Sequence, residues 1–133
     1  MENNKNYNEL PDINDENEKE YWIEYKKTLS PQIKEALIVK YKYLLEVAAN
    51  ELKSNIGKGR LVRLDYDDLV CLGYLGLLEA IDKYPHDKDV KFKSYAFVRI
   101  QRAIYDIENI YYELKNNISN DLKIDEIKDG IFS

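Results

Sequence analysis

Apolar residues recur every three to four positions in three long segments of the chain, the spacing of one face of an α-helix. The first runs Ile33, Leu37, Tyr41, Leu44, Ala48 and Leu52, which predicts a single helix of about six turns. Ser30-Pro31 starts it, with a hydroxyl that caps and a proline at the first helical position. Lys34, Glu35, Lys42, Glu46 and Lys53 form its polar face, and Gly57-Lys58-Gly59 ends it in a flexible loop. The second helix opens at Asp65 or Asp67, where a carboxylate suits the positive end of the helix dipole. It continues through Leu69, Val70, Leu72, Leu75, Leu77, Leu78, Ala80 and Ile81 and stops near Tyr84-Pro85. This helix is apolar on more than one side. It also carries Gly73 and Gly76, each costing about 1 kcal/mol relative to Ala, which predicts close backbone approach by a neighbour. That neighbour is either another helix of the domain or a partner. In the third helix, capped by Ser94, the buried stripe is Phe97, Ile100, Ala103 or Ile104, Ile107, Tyr111 and Leu114, with Asn116-Asn117 at its end.

Outside these segments the pattern weakens. Tyr21, Trp22 and Tyr25 fit one face of a short N-terminal helix over 21–29, with Trp22 anchoring it to the core. Residues 1–18 offer almost nothing to bury and read as disordered, part of an acidic arm over 1–20. Residues 118–133, with Leu122, Ile124 and Ile127, form an acidic tail that is either a short helix or frayed. The expected fold is therefore all-α: one compact domain over 21–117, with three main helices and a short N-terminal one.

Composition narrows the function more than the fold. A chain of 133 residues has room for one domain, and five Gly and three Pro are too few turn signals for an all-β fold. One Cys (Cys71) and one His (His86) exclude an internal disulfide and are too few soft ligands for a chelated metal site. No signal peptide is legible, and no window approaches the roughly eighteen apolar residues of a membrane helix, so a cytoplasmic protein without membrane contact is expected. No catalytic triad, metal-ligand spacing or dinucleotide loop is present; the reading is a binding protein, not an enzyme, and no cofactor is implied. Asp67-Asp68 is better explained by capping than by acid–base chemistry.

The net charge of −5 hides an uneven distribution. Residues 1–20 carry −5 and residues 106–133 carry −4, whereas residues 88–105 carry +4 from Lys88, Lys91, Lys93, Arg99 and Arg102 against Asp89. Screening confines each charge to about 8–10 Å at physiological salt, so the local sign governs contact with a polyanion. Within 91–105 the bases interleave with Phe92, Tyr95, Phe97 and Tyr105. Lys91 and Lys93 are placed to hold phosphates, while Phe92 and Tyr95 offer faces for unpaired bases.

Two stretches carry a resemblance. Asp-Asp-Leu-Val-Cys-Leu-Gly-Tyr-Leu-Gly-Leu-Leu-Glu-Ala-Ile-Asp-Lys-Tyr (67–84) and Val-Lys-Phe-Lys-Ser-Tyr-Ala-Phe-Val-Arg-Ile-Gln-Arg-Ala-Ile-Tyr-Asp (90–106) resemble region 2 of the sigma-70 family of RNA polymerase sigma factors. The flagellar and sporulation branch fits best, its opening motifs matched by Trp22-Ile23-Glu24-Tyr25-Lys26 and Leu37-Ile38-Val39-Lys40-Tyr41. The resemblance implies that Asp68, Cys71, Leu72, Tyr74 and Leu78 dock on the clamp helices of the largest polymerase subunit. It implies that Lys91, Phe92, Lys93, Ser94 and Tyr95 melt the promoter and hold its non-template strand. Val98, Arg99, Gln101, Arg102 and Tyr105 would then read the −10 element.

The chain departs from the family at Gln101-Arg102, where the branch usually has Arg-Gly, and at Asp106-Ile107-Glu108-Asn109, where a phosphate-binding Arg is missing. Regions 3 and 4 have no counterpart in these residues, so reading of the −35 element is expected from a separate chain or not at all. Two readings follow: a sigma-like initiation protein, or a truncated or split sigma that binds only polymerase or an anti-sigma factor.

Overall fold

The computed structural model describes residues 9–56 and 64–117. Five helices make up the described chain: α1 Glu18–Thr28, α2 Pro31–Tyr41, α3 Tyr43–Ile56, α4 Tyr66–Lys83 and α5 Phe92–Asn117. No strand occurs among the described residues. The fold is the all-α domain that the periodicity predicts. Gly57-Lys58-Gly59, residues 1–8 and the tail 118–133 lie outside the described residues.

Local chemistry sets the helix ends. The Ser30 hydroxyl accepts the Ile33 N–H at 3.3 Å, with Pro31 at the first helical position. Asp65 caps α4 through a reciprocal box: its carboxylate accepts the Asp68 N–H at 2.9 Å, and the Asp68 carboxylate accepts the Asp65 N–H at 3.2 Å. Of the two openings left by the sequence, Asp65 is the cap. Helix α1 closes on Leu29 in the left-handed region (φ 53°), whose N–H donates to the Tyr25 carbonyl at 2.7 Å.

Three expectations need correction. The single helix predicted from Ser30 to Gly57 is two helices, divided at Lys42. Lys42 keeps helical dihedrals (φ −60°, ψ −21°), but the Leu45 N–H bonds its carbonyl three residues back at 3.0 Å, a tightening of the turn. Ser94 is not a cap: α5 starts at Phe92, and the Tyr95 N–H bonds the Lys91 carbonyl at 3.1 Å. Residues 9–17, placed in a disordered arm, contain a hydrogen-bonded turn that joins the domain through Asp15, which pairs with Lys40 Nζ at 3.0 Å. Asn14 Oδ1 accepts the N–H groups of Glu16 and Asn17, the Asn17 side chain bonds the Asp12 carbonyl, and Ile13 packs on the core.

The core is one cluster running through every helix. Leu37, Leu52, Leu69, Leu77, Ile81, Ile100 and Ile104 are its largest fully buried side chains. Helices α4 and α5 share the largest interface, with α3 packed against both. Gly76 explains how closely they meet. A Cβ there would stand 2.7 Å from the Arg99 carbonyl oxygen and 2.9 Å from the Ile100 Cα. The neighbour anticipated for the glycines is therefore α5 of the same chain. Helix α1 straps the other end: Glu18 accepts from Trp22 Nε1 (2.9 Å), Lys40 Nζ (2.6 Å) and the Tyr41 hydroxyl (2.7 Å). Tyr25 donates to Asp82 at 2.7 Å, and Lys34 pairs with the same carboxylate at 3.2 Å.

Candidate functional site

Two neighbouring surfaces carry the residues singled out by the sequence. On α4, Cys71 and Tyr74 are exposed, while Asp68 and Leu78 are half-buried. Leu72 is not on this surface. It is 7% exposed and belongs to the core, because the helical turn that exposes Cys71 directs its neighbour inward. Leu75, counted in the sequence only as part of an apolar run, is 61% exposed and forms the apolar summit of the face. Its position four residues after Cys71 and one after Tyr74 was the available signal. Asp68 has a second task here, since its carboxylate completes the cap of α4.

On α5, Ser94, Val98, Arg102 and Tyr105 share one exposed face, with Tyr95, Arg99 and Gln101 half-buried along it. Lys91, just before the helix, and Lys93, in its first turn, are exposed. Phe92 departs from expectation. Its ring is 2% exposed and sits among Trp22, Tyr41 and Tyr84 at centroid distances of 4.9, 4.7 and 5.1 Å. That ring has no free face for a base; it is the wedge that seats α5 on α1 and α2.

Around that aromatic cluster lies an open groove of about 1060 Å³ between α1, the α2–α3 junction and the turn before α5. Trp22, Tyr41, Tyr84 and Phe92 line it together with the bases Lys19, Lys40, Lys88, Lys91 and Lys93 and the acids Asp15, Glu18, Asp87 and Asp89. Burial acts to lower the Lys40 ammonium, but its bonds to Glu18 and Asp15 outweigh burial and raise it above the ordinary lysine range. Burial, then the Glu18 hydrogen bond, drives the Tyr41 phenol far above its ordinary value. Burial also raises Tyr84. The Tyr84 hydroxyl donates to the Val90 carbonyl at 2.5 Å, which pins the turn between α4 and α5.

Arg99 and Gln101 are held from below by carboxylates of neighbouring helices. Arg99 Nη1 donates to Glu79 Oε1 at 3.1 Å, and Gln101 Nε2 donates to Glu51 Oε1 at 3.2 Å. The hydrogen bond from Lys83, with its charge, and then the bond from Arg99 hold the Glu79 carboxyl below its usual range. No group of three or more potential metal ligands occurs among the described residues. None of the described helices is long and apolar enough to cross a membrane.

The profile of the sigma-70 region 2 family matches residues 43–107, the span from α3 through most of α5 that builds both surfaces. Over these residues the chain matches the sigma-70 region 2 family, as its motifs predicted. It is similar to the RNA polymerase sigma-D factor of Bacillus subtilis, 32% identical over 85 residues, covering 64% of this chain and 32% of that protein. It is also similar to the RNA polymerase sigma factor FliA of Pseudomonas aeruginosa, 36% identical over 83 residues, 62% of this chain and 32% of that protein. The chain thus spans about a third of the length of these relatives. No solved structure matches it significantly.

Proposed function

We propose that this chain is a sigma factor-like initiation protein that docks on core RNA polymerase through α4 and engages the unpaired −10 strand with α5. The observation that carries this reading is the division of exposed side chains. The α4 face is capped by acids and crowned by Leu75, Tyr74, Leu78 and Cys71, suited to a protein partner. The adjoining α5 face presents Lys91, Lys93, Val98, Arg102 and Tyr105, a mixture of cations and rings suited to single-stranded nucleic acid. In this reading Tyr95 and Tyr105, rather than Phe92, meet the bases. Leu75 joins Asp68, Cys71, Tyr74 and Leu78 at the polymerase, with Leu72 supporting them from beneath.

Retention on the cognate core polymerase tests the docking half. Wild type is retained, and Leu75→Asp, which sets a charge on an exposed apolar summit without disturbing the core, is lost. Failure of the wild type to be retained removes the reading. Binding of a −10 single strand to the polymerase complex tests the other half, with Tyr105→Ala and Arg102→Ala weakening it.

A second reading has one observation in its favour. Arg99 and Gln101, two of the expected reading residues, are already bonded to Glu79 and Glu51. A protein that binds polymerase or an anti-sigma factor without productive DNA contact fits that arrangement. Retention on polymerase with no effect of Tyr105→Ala or Arg102→Ala on strand binding selects this second reading.

A further inference from the structure

Where α4 and α5 meet, four residues close a ring that runs through the Lys83 main-chain carbonyl. Glu79 Oε1 accepts from Arg99 Nη1 at 3.1 Å, and Glu79 Oε2 accepts from Lys83 Nζ at 3.3 Å. The Tyr95 hydroxyl donates to the Lys83 carbonyl at 3.2 Å, and the Arg99 guanidinium lies 4.9 Å from the centre of the Tyr95 ring. Two of the four residues belong to α4 and two to α5. A guanidinium laid on a phenol ring covers the face on which a base would stack. A guanidinium bonded to a carboxylate has its charge compensated against a phosphate. Glu79 lies four residues after Leu75, at the edge of the exposed α4 face, and its side chain is 48% exposed. A partner seated on Leu75 therefore reaches Glu79.

We propose that Glu79 is a positioning residue for Arg99: in the free protein it holds the guanidinium across Tyr95 and withholds both from a single strand. A cationic side chain of the partner docked on α4 takes over Glu79 and releases them. The release step rests on the docking reading above; the hold on Arg99 does not. Coupling of this kind links the two faces through one exposed carboxylate, with no rearrangement of the core.

The test is binding of a fluorescein-labelled, A/T-rich DNA single strand to the free protein at low salt. Glu79→Gln is expected to bind about twofold to fivefold more tightly than wild type, the scale of one exposed ion pair. Because the expected change is a gain, a folding defect cannot imitate it. The same substitution made in Arg99→Ala protein is expected to give no gain, since Arg99 is what Glu79 restrains. An equal gain in both backgrounds overturns the proposal, because it reports only the loss of a negative charge from a polyanion-binding protein. No gain in either background also overturns it. With core polymerase bound, the advantage of Glu79→Gln disappears; its persistence there overturns the release step. Retention of wild type on polymerase is scored separately, so a failure of docking is told apart from a failure of the hold on Arg99.

Discussion

At the scale of single residues, the two glycines of α4 separate a requirement from a preference. A Cβ at Gly76 meets backbone, 2.7 Å from the Arg99 oxygen, and backbone within a packed helix pair cannot step aside. At Gly73 the nearest atoms are side-chain ends: Ile100 Cγ2 at 3.1 Å, Ile104 Cδ1 at 3.3 Å and Leu45 Cδ2 at 3.3 Å. Alanine gains about 1 kcal/mol of helix propensity at either site, against overpacking costs of about 1–3 kcal/mol. Gly76→Ala is therefore expected to lower the urea unfolding free energy by up to about 2 kcal/mol, overpacking outweighing propensity. Gly73→Ala is expected to stay within about 1 kcal/mol of wild type, because the methyl groups around it shift. Phe92 calls for a different substitution series. Removing its buried ring leaves a cavity among Trp22, Tyr41 and Tyr84, so Phe92→Ala is expected to cost about 3–5 kcal/mol in the same measurement. Loss of strand binding in that variant would report unfolding, whereas Tyr105→Ala, at an exposed site, is expected to leave the urea midpoint near wild type.

The helices are held to one another by polar clamps as well as by the core, and Asp82 at the end of α4 is the clearest. Burial acts to raise its carboxyl, but the Tyr25 hydroxyl and the Lys34 ammonium outweigh burial and hold it below the ordinary aspartate range. A carboxyl depressed in the folded state adds stability above its unfolded pKa of about 4. That stability is lost as the pH falls through the folded value. Wild type is thus expected to lose more melting temperature than Asp82→Asn on going from about pH 6 to about pH 3. The side chain is 50% exposed, so screening keeps the difference to less than about 1 kcal/mol and high salt narrows it. No sequence pattern announces this clamp, because its members Tyr25, Lys34 and Asp82 come from three helices. What was legible at this scale was whatever repeats along one helix: the apolar stripes and the Ser30 and Asp65 caps. The break at Lys42 was not, because its dihedrals remain helical and the stripe from Leu37 through Tyr41 to Leu44 keeps its phase across it. The start of α5 was misplaced because Ser94 has the chemistry of a cap, while Phe92 is drawn into the helix by burial in an aromatic cluster formed by distant segments.

At the scale of the whole molecule, the helices of the candidate site could be read from the sequence but the side chains they expose could not. Motif order located α4 and α5, and the charge distribution located the single basic stretch. Which of those side chains face outward depends on packing between helices, and that packing buried Leu72 and Phe92, exposed Leu75, and engaged Arg99 and Gln101 with carboxylates. The last point sets the salt dependence. Of the five bases between 88 and 105, Arg99 is paired with Glu79, and Lys88 stands between Asp87 and Asp89 in the turn. Lys91, Lys93 and Arg102 remain exposed on or beside α5, with an acidic segment following the basic stretch in the sequence. Each phosphate neutralised on a single strand adds about −0.7 to the slope of log affinity against log salt. Three such contacts predict a slope near −2 for the free protein, and about −1.4 for Arg102→Ala. All five bases in play would give a slope near −3.5 instead. Titrating strand affinity from about 50 to 200 mM salt distinguishes these values. A wild-type slope near −3.5 would mean that the carboxylate contacts of α4 do not persist when nucleic acid is present. A slope near zero would mean that α5 contributes no phosphate contacts, and that the exposed apolar face of α4 is the surface this domain uses.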